Sequence, residues 1–115
     1  MLYVNYPKCT TCVKAKKFLE SKNFEQFENR DIKNNNPTYE ELKEWHEKSG
    51  LPLKRFFNTS GNSYKELGLK DKLANMSEEE QLQLLATDGM LVKRPILVTD
   101  EKVLVGFKET EWNEI

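Results

Sequence analysis

The only two cysteines of the chain stand three positions apart, as Cys9-Thr10-Thr11-Cys12. Thiol chemistry belongs to the thiolate, and a free cysteine, with a pKa of about 8.5, is mostly protonated at neutral pH. Placement changes that balance. The pair follows the strand-like run Leu2-Tyr3-Val4-Asn5-Tyr6, then Pro7 and Lys8, and it opens an amphipathic segment. Cys9 is therefore expected at a helix N-terminus, where free backbone N–H groups and the macrodipole favour an anion. Residues i and i+3 of a first turn share a face, close enough for a small disulfide ring. The spacing reads as a redox or nucleophilic site, with Cys9, at the accessible end, as the attacking thiolate and Cys12 as the resolving thiol. Two plainer readings stand beside it. Cys12 falls on the inner face of the helix, as a buried apolar thiol would, and a zinc half-site would need a second ligand pair where His46 is the only histidine.

The elements that must position this pair are legible in outline. Residues 2–6 alternate loosely and stop at Pro7, which predicts a strand. From Thr10 to Ser21, Cys12, Ala15, Phe18 and Leu19 form an apolar stripe, while Lys14, Lys16, Lys17 and Glu20 face outward. Residues 24–31, with Phe24 and Phe27, fit a second strand returning beside the first, a right-handed βαβ start with parallel pairing. Three capping-box patterns follow, at Thr38–Glu41, Ser63–Glu66 and Ser77–Glu80, with Gly50, Gly68 and Gly89 as expected stops. Pro52 fits the first turn of a short helix running to Phe57. Trp45, Tyr39 and Leu42 read as core, and His46 as a solvated helix residue. Residues 95–98 and 103–107 form an expected antiparallel hairpin, and residues 109–115 a last helical turn or two. The order β-α-β, helices, β-β, α is that of an α/β sandwich with a helical insertion.

Bulk properties limit the functions available. The chain has 115 residues, enough for one compact domain, with 37% apolar and 32% charged residues and a net charge of −1. That balance supplies no electrostatic footprint for direct nucleic-acid binding. No apolar run reaches the roughly 20 residues of a membrane span. Met1 leads directly into the first strand without a signal-peptide pattern, and two cysteines are too few for a secreted disulfide scaffold, so a cytoplasmic location is expected.

The chain resembles the arsenate reductase (ArsC)/Spx family of thioredoxin-fold proteins over essentially its full length. The residues that carry the resemblance are Tyr6-Pro7-Lys8-Cys9-Thr10-Thr11-Cys12, Phe57-Asn58-Thr59-Ser60-Gly61, Leu91-Val92-Lys93-Arg94-Pro95-Ile96-Leu97-Val98 and Val105-Gly106-Phe107-Lys108. The resemblance implies a single domain over residues 1–115, a thioredoxin-like mixed sheet, and a helical insertion at about 37–90 between the second and third strands. It gives Pro95 the role of a cis-proline facing the active cysteine. Glutaredoxin-coupled arsenate reductases pair one cysteine with three arginines around the oxyanion. Cys9 matches the cysteine and Arg94 one arginine, where it would lower the thiol pKa and hold an anion. Asn58 and Lys108 stand at the other two positions, so one charge is absent and one lacks the bidentate fork of arginine. Arg55 lies near in sequence, and Lys8 would add to the positive field. The implied activity is thiol–disulfide oxidoreduction, with arsenate or a glutathione adduct as substrate and glutathione, thioredoxin or glutaredoxin as reductant. No bound cofactor or metal is implied. The Spx branch implies instead a redox-sensing regulator that binds the RNA polymerase alpha subunit, with Gly50 as the candidate contact.

Overall fold

The computed structural model describes residues 2–22, 27–59 and 61–114. Strand β1 (Leu2–Asn5) leads through the Pro7–Lys8 turn into helix α1 (Thr10–Ser21), and strand β2 (Glu28–Asp31) returns parallel to β1, Leu2 opposite Glu28. Helices α2 (Tyr39–Ser49), α3 (Asn62–Glu66), α4 (Leu69–Lys72) and α5 (Glu78–Leu85) follow, with 3₁₀ turns at Leu53–Phe56, Leu73–Asn75 and Gly89–Leu91. Strands β3 (Ile96–Val98) and β4 (Val103–Val105) and a short α6 (Glu109–Trp112) complete the chain. The sheet order is β2-β1-β3-β4, with β3 antiparallel to both β1 and β4. This is the expected α/β architecture, a mixed four-stranded sheet with a helical segment between β2 and β3.

Period-two alternation builds a core on each side of the sheet. Val4, Ile96, Val103 and Val105 face the helical segment and pack with Leu42, Trp45, Phe56, Leu82 and Leu85. Tyr3 and Leu97 face the other way and pack with Ala15 and Leu19 of α1 and with Trp112 of α6. The α1 stripe read from the sequence thus docks one helix on the sheet, leaving Lys14, Lys16 and Lys17 exposed. Trp112 is fully buried, donates its indole N–H to the Gly106 carbonyl at 3.1 Å, and meets Phe107 edge-on at 5.0 Å.

Two of the three capping boxes form. Thr38 and Glu41 exchange hydrogen bonds at the start of α2, as Ser77 and Glu80 do at the start of α5, and Gly50 ends α2 at φ 67°. The Ser63–Glu66 box does not form. Helix α3 starts two residues earlier, with Gly61 as a cap that offers no side chain, and the Ser63 hydroxyl turns to the Asp88 carboxylate at 3.4 Å. Gly89 is not a helix stop either: α5 ends at Leu85, and Gly89 opens a 3₁₀ turn. A Cβ there would come within 2.3 Å of the Ile32 carbonyl oxygen, so only glycine fits this close approach. Helix α4 was not expected at all. The expected strand contribution of Phe24, and the end of the last helix at Ile115, lie outside the described residues. Within them, no helix is long and apolar enough to cross a membrane.

Candidate active site

The strand-turn-helix junction sets Cys9 at the N-cap of α1, tied down by its backbone N–H bond to the Tyr6 carbonyl at 2.9 Å. Its sulfur accepts the Cys12 backbone N–H at 3.4 Å. The first turn carries no acidic residue that would oppose an anion at this end. Both cysteines are free thiols, Cys9 partly exposed and Cys12 only 2% exposed. Behind them, the buried Tyr3 hydroxyl donates to the Cys12 carbonyl. Burial first, then the nearby cysteine charges, raises the Tyr3 pKa, so it holds its proton and stays a donor.

The two thiols titrate apart. Partial burial by itself pushes Cys9 up, but donation from the Cys12 side chain and backbone, the Arg94 charge and the Thr11 N–H together outweigh it. The net pKa of Cys9 lies below the ordinary thiol value. Cys12 is pushed up to about 12, chiefly by burial and then by its hydrogen bond to Cys9. A low-pKa thiol in front of a high-pKa thiol is the division of labour that a nucleophile and a resolving group require.

Arg94 precedes Pro95 through a cis peptide bond and shares a cleft with Cys9. Its guanidinium lies over the Tyr6 ring at 5.2 Å. One terminal nitrogen reaches the Val92 carbonyl at 3.5 Å, while the buried Nε has no hydrogen-bond partner among the described residues. A cleft of about 550 Å³ opens here, its walls including Cys9, Thr11, Asn58, Asn62, Lys93 and Arg94. A second hollow of about 360 Å³ adjoins it, sharing Thr11, Lys93 and Arg94 and adding Arg55 and Lys108.

The predicted residues therefore separate. Cys9, Arg94 and Asn58 face one cleft, Lys108 lies with Arg55 in the neighbouring one, Pro95 is buried behind Arg94, and Lys8 is exposed and lines neither cleft. Gly50 sits exposed at the far end of α2. His46 is half-buried and meets Phe56 edge-on at 5.8 Å, more enclosed than a solvated residue. Lys93, Asn62 and Tyr6 escaped the sequence reading. Lys93 had a signal, its adjacency to Arg94, whereas Tyr6 had none, because its ring meets Arg94 only across the fold. No group of three or more His, Cys, Asp or Glu side chains able to hold a metal occurs among the described residues.

Comparison with known proteins converges on one family. The ArsC family model matches residues 4–115. The Bacillus subtilis protein YusI is 58% identical over 109 residues, 95% of this chain and 92% of its own length. The regulatory protein MgsR of B. subtilis is 32% identical over 111 residues, 96% of this chain and 86% of its own. A crystal structure from Bacteroides fragilis, described as ArsC-family related, is 59% identical and superposes with a TM-score of 0.95, covering 98% of this chain and 94% of that one.

Proposed function

The chain belongs to the ArsC family, and from that premise we propose that it is a thiol–disulfide reductase in which Cys9 attacks and Cys12 resolves. The observation that carries the reading is the placement of two unlike free thiols at one helix start. Cys9 stands partly exposed at the N-cap, its sulfur accepting the Cys12 backbone N–H, and Cys12 is buried behind it. The opposite pKa directions of the two agree with this placement. In the first step the Cys9 thiolate bonds to one sulfur of a disulfide substrate, and the other sulfur leaves as a thiolate. That step removes the anion at Cys9. The Cys9 charge, one of the causes that raise Cys12, then disappears, while burial stays the principal one. Cys12 becomes easier to ionise only once there is a bond for it to break. Its thiolate attacks the Cys9 sulfur, forms the Cys9–Cys12 disulfide, and expels the second thiol.

Arg94 stabilises the leaving thiolate or, with arsenate as substrate, the oxyanion, and Asn58 and Lys108 are the further anion contacts of this reading. Two electrons from glutathione, thioredoxin or glutaredoxin restore the dithiol. A second reading is favoured by the likeness to MgsR: the same disulfide as the sensor of an Spx-like regulator docking on the RNA polymerase alpha subunit near Gly50. The deciding experiment assays purified protein for turnover with arsenate and with glutathione mixed disulfides, alongside Cys9→Ser and Cys12→Ser. The reductase reading expects turnover abolished by Cys9→Ser. No turnover with any substrate, together with tight binding to the alpha subunit, overturns it.

A further inference from the structure

The resolving thiol carries a difficulty that the first step does not remove. Cys12 is 2% exposed, and burial above all pushes its pKa up, to about 12. The Tyr6 N–H and the Arg94 charge favour its thiolate without offsetting that burial. An adduct at Cys9 takes away the Cys9 charge but not the burial. A thiolate enclosed in this way needs a further donor.

One lies directly behind it. Tyr3 of β1 is fully buried, and its hydroxyl donates to the carbonyl of Cys12 itself. Edge-on contacts with Phe27 at 5.7 Å and Trp112 at 6.4 Å hold the ring, while the hydroxyl hydrogen can swing to another acceptor. Burial, then the charges of Cys12 and Cys9, raise the Tyr3 pKa. The hydroxyl therefore keeps its proton, and it lies within electrostatic reach of both sulfurs. Cys12 is inside α1, so its carbonyl retains the helical N–H from the next turn when the hydroxyl swings away. Of the two acceptors, an ionised sulfur is the stronger.

We infer that Tyr3 supplies the hydrogen bond on which the resolving step depends: as Cys12 ionises, the Tyr3 O–H swings from the Cys12 carbonyl to the Cys12 sulfur. The inference rests on the reading of Cys12 as the resolving thiol and adds the group that stabilises its thiolate. Cys12 also lines a hollow of about 420 Å³ whose walls include Asn5, Val13, Lys16 and Asp31, and no described residue lines both this hollow and the cysteine cleft. Besides Tyr3, the ionisable groups around Cys12 among the described residues are Cys9 and Arg94 on one side and Lys16 and Asp31 in the hollow. The Cys12 proton leaves to solvent through the hollow while the substrate half stays on Cys9. The Cys12 thiolate then bonds to the Cys9 sulfur, the adduct's S–S bond breaks, and the substrate sulfur departs with the electron pair. Tyr3 gives up no proton, and no outside oxidant enters.

The test times both thiol events in one reaction. Reduced protein is mixed with one equivalent of neutral dithiodipyridine, and the absorbance of the first and second released thiopyridone is followed. In Tyr3→Phe the second release is expected to slow about tenfold or more relative to the first, the effect of one hydrogen bond to a charged group. The pH profile of that second release moves upward by about one unit. Ring-fluorinated tyrosine in place of Tyr3, a stronger donor of the same shape, speeds the second release relative to wild type. In Cys9→Ser, where Cys12 is the one cysteine left, adding Tyr3→Phe slows Cys12 alkylation by a similar factor. Tyr3→Phe keeps the ring and its contacts, and if it fails to fold the fluorinated protein carries the same test. Equal slowing of both releases overturns the inference and makes Tyr3 an anchor of α1 only, as does a second release indifferent to the fluorinated ring. A wild-type protein that gives the first release and never the second defeats the dithiol reading itself, before any change at Tyr3.

Discussion

Replacing Tyr6 tests how the positive charge is held beside the thiol. The Arg94 guanidinium lies over the Tyr6 ring at 5.2 Å, and its one polar contact among the described residues is marginal, to the Val92 carbonyl at 3.5 Å. A cation over a partly desolvated aromatic face is worth about 1–2 kcal/mol. Tyr6→Leu keeps the backbone carbonyl that anchors the Cys9 N–H and removes the ring. Losing about 1.4 kcal/mol lowers the ratio of stacked to released guanidinium about tenfold. The largest single influence on Cys9, burial, raises its pKa, so the opposing contributions decide the net direction, and Arg94 is one of them. The pH profile of Cys9 alkylation by neutral iodoacetamide, mapped by mass spectrometry, is expected to move upward in Tyr6→Leu, in the same direction as in Arg94→Gln. Tyr6→Phe retains the ring and stays near wild type. If Arg94→Gln moves the profile and Tyr6→Leu does not, or if Phe and Leu behave alike, the stacking argument is wrong.

Other consequences concern the frame around the site. Arg30, its side chain 11% exposed, binds both oxygens of the Glu41 carboxylate, which also closes the α2 capping box. Glu41→Gln should cost about 1–2 kcal/mol at pH 7 by urea unfolding, above the range of an exposed pair. Arg30 foremost holds the Glu41 pKa down in the folded state. The contribution is therefore full above the unfolded value of about 4.3 and is lost as pH falls through the lower folded value. A penalty that stays constant into strong acid contradicts this. Trp112→Ala empties a fully buried site and strips the Gly106 carbonyl of its donor. The expected loss is about 4 kcal/mol, and one under about 2 kcal/mol refutes the central place given to that indole. Thr38→Ala removes a formed cap and should cost about 1 kcal/mol, whereas Ser63→Ala, at a box that does not form, should stay within about 0.5 kcal/mol. Equal costs at the two positions count against the assignment.

Local physics was readable wherever a residue acts on its own neighbours. The α1 stripe, the caps at Thr38 and Ser77 and the hairpin around residues 99–102 depend on contacts within a few positions, and each stands as expected. Ser63 shows the limit: its pattern matched a cap, but a partner 25 residues away at Asp88 took the hydroxyl. Gly89 is constrained by the Ile32 carbonyl across the fold, so its meaning was invisible in its own segment. The site divides the same way. Cys9 at a helix start and the Arg94-Pro95 junction carried local signals. The parting of Asn58 from Lys108, the gathering of Arg55 with Lys93, and the Tyr6 ring under Arg94 arise only when β3 and β4 close beside α1.

The order of thiol events tests the central claim most directly. Reduced protein is mixed with one equivalent of a symmetrical small disulfide, quenched at intervals and mapped by mass spectrometry. The account predicts a transient adduct on Cys9 alone, then an internal Cys9–Cys12 disulfide with two small thiols released per protein, and arrest at the Cys9 adduct in Cys12→Ser. An adduct that forms first on Cys12, or one that persists on Cys9 of the wild-type protein, contradicts it.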